Sequence, residues 1–450
     1  MQNRKKHGEW IMNSEIKHTK SLSVNLIILS AFLVLSPKIV PAQNASRWIQ
    51  TNGPEGGIMH SVAIHPNNNN ILFSCGVGKA VFKSNDAGEN WITQGIINDH
   101  HNQILEDLII NPANPNTMYL RGGRGIYKSL DAGRTWNSVS TGIDPCHLNI
   151  TSLGIDHSNP QVLYAGTYSH CPDEVPGAMY KSQDGGESWI HVTSTLNFPI
   201  HTQVIDLACY DSLIYLSVIN VEEWGGGKLY ISRNGGQSWE EMESVFRPGH
   251  FHQSIYIDKE TPNIAYLGFA SNDITMLEGD YLLKTSDKGK TWQSLVLPAL
   301  DANVKVMGKD KEQNILYVGS GAYLYKSLDE GKTWSEITPP WRGSNEATHI
   351  AIDSTRNTLF IASPFAGGIV KSNDGGLNWR LVQNGLLNTN VALLTVKNEP
   401  GSQTLYAGSS NGGVFVSTDY GDTWSRKRPD GDNKVYVDEL LYNIPSHSFY

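Results

Sequence analysis

Beyond residue 45 the chain is written in short runs of four to six residues in which apolar and polar side chains alternate, each run closed by Gly, Asn, Asp or Pro. A side-chain period of two belongs to half-buried strands. The stretch 391–427 shows the unit: Val391 to Val396, Thr404 to Ala407, Gly413 to Ser417 and a fourth run opening at Trp424. Between its third and fourth runs lies the pattern Ser-x-Asp-x-Gly-x-Thr-Trp. It occurs eight times, with the Trp at 91, 136, 189, 239, 292, 334, 379 and 424, at intervals of 42 to 53 residues. Four short strands repeated at that period describe one propeller blade. The units predicted are 58–95, 104–140, 150–193, 203–243, 252–296, 303–338, 347–383 and 391–427.

The pattern has the chemistry of a hairpin turn. A short Asp side chain accepts hydrogen bonds from turn N–H groups, Gly takes positive φ at little steric cost, and Trp supplies a large apolar plate to bury between neighbouring sheets. Asn234 stands for the acid in one copy, Thr285 for the leading Ser in another, and Asn90 and Asn378 for the Thr. All keep turn chemistry. On these eight copies the chain resembles the BNR or Asp-box repeat family, which includes sialidases, xyloglucanase-type glycosidases, sortilin-type receptors and a photosystem assembly factor. The resemblance implies an all-β fold, a β-propeller of about eight four-stranded blades, with an incomplete ninth blade or an open closure as alternatives. Asp86, Asp131, Asp184, Asn234, Asp287, Asp329, Asp374 and Asp419 are then turn residues and not catalytic acids, because a fold motif does not specify function.

The ends bear on closure. Arg47 to Gly53 parallels Asn90 to Gly95 as an orphan fourth strand, and Val437 to Pro445 parallels a first strand. A terminal strand that completes a blade begun at the other terminus seals a ring. Here the last unit lacks its third strand, so loose ends, a ninth partial blade and truncation at the C-terminus all remain open. Residues 1–43 lie outside the repeat. Lys17 and Lys20, the apolar run Leu22 to Leu35 and Val40-Pro41-Ala42 read as a signal peptide cleaved near Ala42, leaving 44–450 as a single propeller domain. The expected location is secreted or periplasmic, with no membrane attachment after cleavage and a monomeric state.

Charge narrows the partners. Loss of residues 1–42 removes six Lys and Arg against Glu9 and Glu15, moving the formal charge from −9 to −13. Nucleic acid and anionic membranes are bound through clustered Lys and Arg, so neither is expected. Four Cys in a chain of this size do not make a disulfide scaffold. Cys75 and Cys209 fall inside strand patterns. Cys146 and Cys171 lie in two loops of one repeat, where a bridge and two free thiols are both open. His100, His101, His147, His201, His250 and His252 show no metal-ligand spacing, so no metal or cofactor is expected.

In the resembling families the ligand face lies opposite the Asp-box turns, where the loops joining strands two to three, and each blade to the next, come together. The longest of these insertions carry Asp173 and Glu174, then Glu222, Glu223 and Trp224, then Asp273, Glu278 and Asp280; Trp341 and Arg342 follow between blades. Carboxylates beside an aromatic plate suit a sugar, and Trp224, flanked by two Glu and three Gly, is the strongest single candidate. Loop polarity alone is the competing reading. The expected function is a non-catalytic propeller binding carbohydrate or protein through this face. The alternative is a glycoside hydrolase using carboxylates of the 168–280 loops, although the sialidase Arg-Ile-Pro element and the xyloglucanase Asp-Val-Gly-Gly stretch are both absent. Whether the chain is an enzyme is left open.

Overall fold

The computed structural model describes residues 56–98, 104–122, 124–169, 171, 175–220, 227–242, 250–271, 282–298, 303–339, 347–363, 368–382, 387–388, 391–399, 402–409, 413–418, 424–427, 442–443 and 448–449. The chain is a β-propeller. Blade 1 consists of Met59–Ile64, Leu72–Gly76, Ala80–Ser84 and Ile92–Ile96, paired antiparallel in that order. Blades 2 to 7 repeat it, their first strands being Leu105–Ile110, Asn149–Ile155, Thr202–Tyr210, His250–Ile257, Val304–Asp310 and His349–Asp353. An eighth four-stranded sheet, from Val391–Glu399 to Ser425–Lys427, follows in the chain.

The second strands are the most buried. All six residues of Ile315–Ser320 are inaccessible, as their Leu-Tyr-Val pattern flanked by neighbouring sheets requires. The apolar residues of the described blades collect into seven clusters, one at each junction between blades. Six join consecutive blades. The seventh joins blade 7 to blade 1, packing Phe360, Ala362 and Ile369 against Met59, Val62, Phe82 and Trp91. The number of four-stranded sheets is therefore as expected, and the closure is not: the ring seals after seven blades, between Val382 and Met59, instead of running on to an eighth. Among the described residues no strand is exchanged to close it, since blades 1 and 7 are each built from one continuous segment. Gly56–Gly57 pairs in parallel with Leu387–Asn388, so the chain enters the ring beside the point where it leaves.

The repeat turns adopt one geometry in seven copies. In blade 2 the Ser129 hydroxyl donates to Asp131 Oδ1 at 2.8 Å and accepts from Gly133 N at 2.8 Å, while Thr135 donates through its N–H and its hydroxyl at 2.9 and 2.6 Å to the two Asp131 oxygens. Ala132 and Gly133 both have positive φ, 57° and 82°. Two left-handed residues in succession explain why blades 3, 4 and 7 place Gly-Gly there. Asn234 reproduces the geometry, its amide nitrogen donating to Ser238 Oγ at 2.7 Å where an acid would accept. The Asp419 turn lies outside the described residues.

A second device joins the blades and is not apparent from the turn pattern alone. The Lys three residues before the turn Asp or Asn packs against the aromatic residue of its own second strand and reaches the turn of the next blade. Lys181 donates to Gly235 O at 2.8 Å, Lys326 to Gly375 O at 2.9 Å, and Lys371 to Ala87 O at 2.7 Å. Lys371 also sits 5.4 Å from the centroid of Phe360. In blade 4 Ile231 replaces the Lys, and its methyl occupies space that a Cβ on Gly289 would need.

Candidate functional site

First strands are innermost in each blade, and they begin on the face opposite the repeat turns. Each of the first strands of blades 1 to 6 carries a bulge close to its start, between Met59 and Ser61, Glu106 and Ile109, Ile150 and Ser152, Val204 and Asp206, His252 and Ser254, and Val304 and Val306. A bulge breaks the ladder and re-aims a side chain. Below it the strands are stitched across the ring: Ser61 Oγ accepts from Leu108 N at 3.2 Å, Ser152 Oγ from Leu207 N at 3.2 Å, and Asp206 Oδ2 from Ile255 N at 2.8 Å.

At this level blade 2 departs from its neighbours. Glu106 pairs in register with Arg121 of the second strand, and Asp107 follows in a left-handed conformation with φ 46°. That conformation costs a non-Gly residue about 1–2 kcal/mol, and such strain concentrates at functional sites. Arg121 donates through Nε to Asp107 Oδ2 at 2.6 Å, through Nη1 to Ile150 O at 3.1 Å, and pairs with Glu106. His60 Nδ1 lies 3.4 Å from Glu106 Oε1. Two carboxylates thus share one guanidinium. Glu106 and Asp107 keep about a third of their side-chain surface open to solvent, 30% and 33%.

Burial works against the Arg121 charge, and Asp107 and Glu106 outweigh it, so the guanidinium is held charged more firmly than usual. Burial pushes His60 below its ordinary range against the pull of Glu106, leaving the imidazole neutral at pH 7. His349, at the start of the first strand of blade 7, is likewise lowered by burial, and its Nδ1 is a buried nitrogen without a partner. Asp206 is pushed up to about 7 by burial, against the donors Ile255 N and the Ser152 hydroxyl, the latter at 3.0 Å. It is about half-protonated near neutrality and only partly exposed. The arrangement can accept hydrogen bonds at its rim through Glu106 and Asp107.

Of the sequence candidates, Asp173, Glu174, Glu222, Glu223, Trp224, Asp273, Glu278, Asp280, Trp341 and Arg342 lie outside the described residues. Cys146 and Cys171 are joined by a disulfide with Cα atoms 5.3 Å apart. Beside it His147 is buried, bonding Tyr180 Oη at 2.7 Å and Pro176 O at 2.8 Å. Cys75 and Cys209 are free, the first buried and the second partly so. The cluster of His60, Glu106, Asp107 and Arg121 was missed by attention to long loops. Its signal is present: two adjacent carboxylates within Leu105-Glu106-Asp107-Leu108, and an Arg ending Met118-Tyr119-Leu120. Among the described residues no group of three or more His, Cys, Asp or Glu side chains is placed to hold a metal ion.

The family model for Sortilin-Vps10, described as sortilin, neurotensin receptor 3, matches residues 79–199 and 227–362, more than half of the chain. The chain belongs to the Sortilin-Vps10 family. The matched segments of this Sortilin-Vps10 chain span most of blades 1 to 7 and include Arg121. A sialidase of Bacteroides fragilis is 28% identical over 251 residues, 49% of this chain and 40% of the sialidase. The chain thus spans well under half of that relative's length. Among solved structures, the GH74 xyloglucanase of Xanthomonas campestris superposes with a TM-score of 0.59 at 17% identity, over 86% of this chain and 69% of its own. An ancestral GH74 enzyme reaches 0.64 at 19% identity, over 88% and 58%. YCF48 bound to D1 peptide reaches 0.52 at 16% identity, over 72% and 94%. At these identities the structural likeness shows the fold alone.

Proposed function

We propose that this Sortilin-Vps10 chain is a secreted, non-catalytic propeller that binds a carbohydrate or protein ligand through the face opposite the repeat turns. The observation that carries the reading is the Arg121 cluster, where a strained Asp107 and Glu106 present partly exposed carboxylate oxygens around a fixed guanidinium. Acceptors and donors interleaved on a rigid scaffold suit hydroxyl-rich or peptide ligands, which need positioned hydrogen bonds and no chemistry. The loop residues Asp173, Glu174, Glu222, Glu223 and Trp224 would extend the same face. A neighbour of the same fold, YCF48, is bound to D1 peptide, which supports a peptide as one form of the ligand. Secretion is favoured by the basic and apolar N-terminal segment and by the disulfide, since disulfides persist in oxidising compartments.

The glycoside hydrolase reading is kept because the sialidase and GH74 relatives are hydrolases by name. It would require two carboxylates flanking the bond, one of them protonated. Among the described residues the carboxyl raised to about 7 is Asp206, and its oxygens are already engaged by Ile255 N and the Ser152 hydroxyl. A glycan and peptide array probed with residues 44–450, beside hydrolysis assays on the same sugars, tests both. Binding without turnover that weakens at least tenfold in Arg121→Met and in Trp224→Ala supports the proposal, whereas turnover replaces it with the hydrolase. Binding indifferent to both substitutions would remove this face from the account.

A further inference from the structure

The other end of the ring's axis holds a contact that the binding face does not use. Lys259, in the turn after the first strand of blade 5, brings its Nζ to 2.5 Å from Nε2 of His157, in the corresponding turn of blade 3. Blade 4 stands between them. These turns are the innermost on the repeat-turn face, so two that skip a blade meet only across the axis. Lys259 thus reaches inward across that axis. Its chain is open to solvent while protein encloses it on the sides, as expected for a side chain standing in the mouth of a channel.

The partner is unusual. Burial, and then the nearby Lys259 charge, push His157 down to about 4, so at neutral pH it is an uncharged acceptor for the ammonium. Burial lowers Lys259 itself to about 8, which leaves it mostly charged at pH 7. The carboxylates just before these two residues in the chain, Asp156 and Asp258, are engaged elsewhere. Asp156 Oδ1 accepts from Ser158 N at 2.9 Å and Asp211 N at 2.9 Å. Asp258 accepts from Glu260 N at 3.1 Å and is paired with Lys309. Among the described residues none reaches Lys259. A partly desolvated cation is ordinarily offset by an anion, and a neutral imidazole leaves its full charge uncompensated.

We propose that this end of the channel is an oxyanion site, in which Lys259 and His157 together receive a carboxylate, sulfate or phosphate group. The imidazole defines how it works. With the site empty, His157 Nε2 accepts from the ammonium. When an oxyanion arrives, the ammonium turns its hydrogens to it, and His157 takes a proton from solvent and becomes a second cationic donor. Binding is thus linked to uptake of one proton at pH above the folded pKa of His157. The site lies at the opposite end from the Arg121 cluster and stands or falls independently of the ligand proposed for that face.

The probes are inorganic phosphate and sulfate, titrated into the full chain at constant ionic strength with chloride as the balancing ion. The His157 ring resonances should shift saturably, and the apparent affinity should rise as pH falls from 8 to 6. Lys259→Met should weaken the binding about tenfold or more, as loss of a charge-assisted contact requires, and Lys259→Arg should retain most of it. With sulfate at pH 6.5, where Lys259 is already charged and the probe does not titrate, His157→Phe should keep weak binding and lose the proton uptake, read as heat that no longer depends on the buffer's ionisation enthalpy. A non-saturating shift, or one unchanged in Lys259→Met with circular dichroism showing the variant folded, overturns the site. Phosphate and sulfate binding with no proton uptake in the wild type overturns the role given to His157.

Discussion

The seam between blades 6 and 7 and the seam between blades 7 and 1 are built from the same parts. In the first, Lys326, paired in register with Tyr317, reaches Gly375 O, and Val306, Tyr317 and Leu324 pack on Leu359 and Ile361. In the second, Lys371 reaches Ala87 O over Phe360, and Phe360, Ala362 and Ile369 pack on Met59, Val62 and Phe82. They differ in covalent backing. Blades 6 and 7 are consecutive in the chain, whereas blades 7 and 1 are its two ends of the ring. The closing seam carries extra polar contacts: Glu89 pairs with both Lys371 and Arg380, Asn69 Nδ2 donates to Asp353 Oδ1 at 2.6 Å, and Thr348 Oγ1 donates to His60 O at 3.1 Å. Side-chain complementarity, not strand exchange, decides where this ring stops.

Truncation of the core should separate the two seams most. Phe360 is fully buried in the closing cluster, and Phe360→Ala should cost about 3–5 kcal/mol. Because nothing covalent spans that junction, part of the loss should appear as opening, seen as a larger radius by X-ray scattering and early proteolysis near residues 59 and 382. Leu324→Ala, in the seam between blades 6 and 7, should cost about 2–5 kcal/mol without opening the ring. Equal expansion in both variants would show that closure is no weaker than any other seam.

The lysine locks should show the same asymmetry on a smaller scale. Lys371→Met keeps the stem and removes the ammonium, leaving Ala87 O without its partner and Glu89 with Arg380 alone; a loss of about 1–2 kcal/mol in urea denaturation is expected. Lys326→Met removes a carbonyl contact with no accompanying carboxylate, so a loss of about 1 kcal/mol or less is expected. A reversed order would assign closure to the apolar cluster alone.

The propeller was legible because its unit is repeated: the turn residues, the strand runs and the face on which each loop emerges all follow from one local pattern. The number of blades in the ring was not legible. Val391–Glu399 through Ser425–Lys427 has the strand pattern of any blade, and only the docking of Phe360 and Lys371 onto blade 1 shows that the ring has already closed. In hindsight Val416, standing where the lock lysine belongs, marks that last sheet as different, though Ile231 shows that the substitution is not decisive. The Arg121 cluster was hidden for another reason. Its residues lie within strands, where charge reads as a solvated edge, and their convergence depends on a bulge that no residue type announces.

The smallest effect distinguishes seams by what holds the turn each lysine grips. The N–H and side chain of Asn378, with the Ser372 hydroxyl, hold the Asp374 carboxyl down at about 2, and Asn90 and Ser84 lower Asp86 in the closing seam against a burial effect of opposite sign. The corresponding turn in the seam between blades 3 and 4 is built on Asn234, which has no proton to gain. A free carboxyl in an unfolded chain titrates near about 4. A folded value below the unfolded one means that the charged form stabilises the fold: the contribution is complete above about pH 5 and fades as pH falls from 4 through 2. Amides of Asn90 and Asn378 should therefore lose exchange protection and shift over that interval, while the Ser238 amide stays put. Asp374→Asn should convert the blade 7 turn to the blade 4 behaviour, flattening the Asn378 response with little change in stability at pH 7. A Ser238 amide that moves in step with the other two would mean that acid loosens the ring as a whole, and that the turns follow the seams instead of setting their pH dependence.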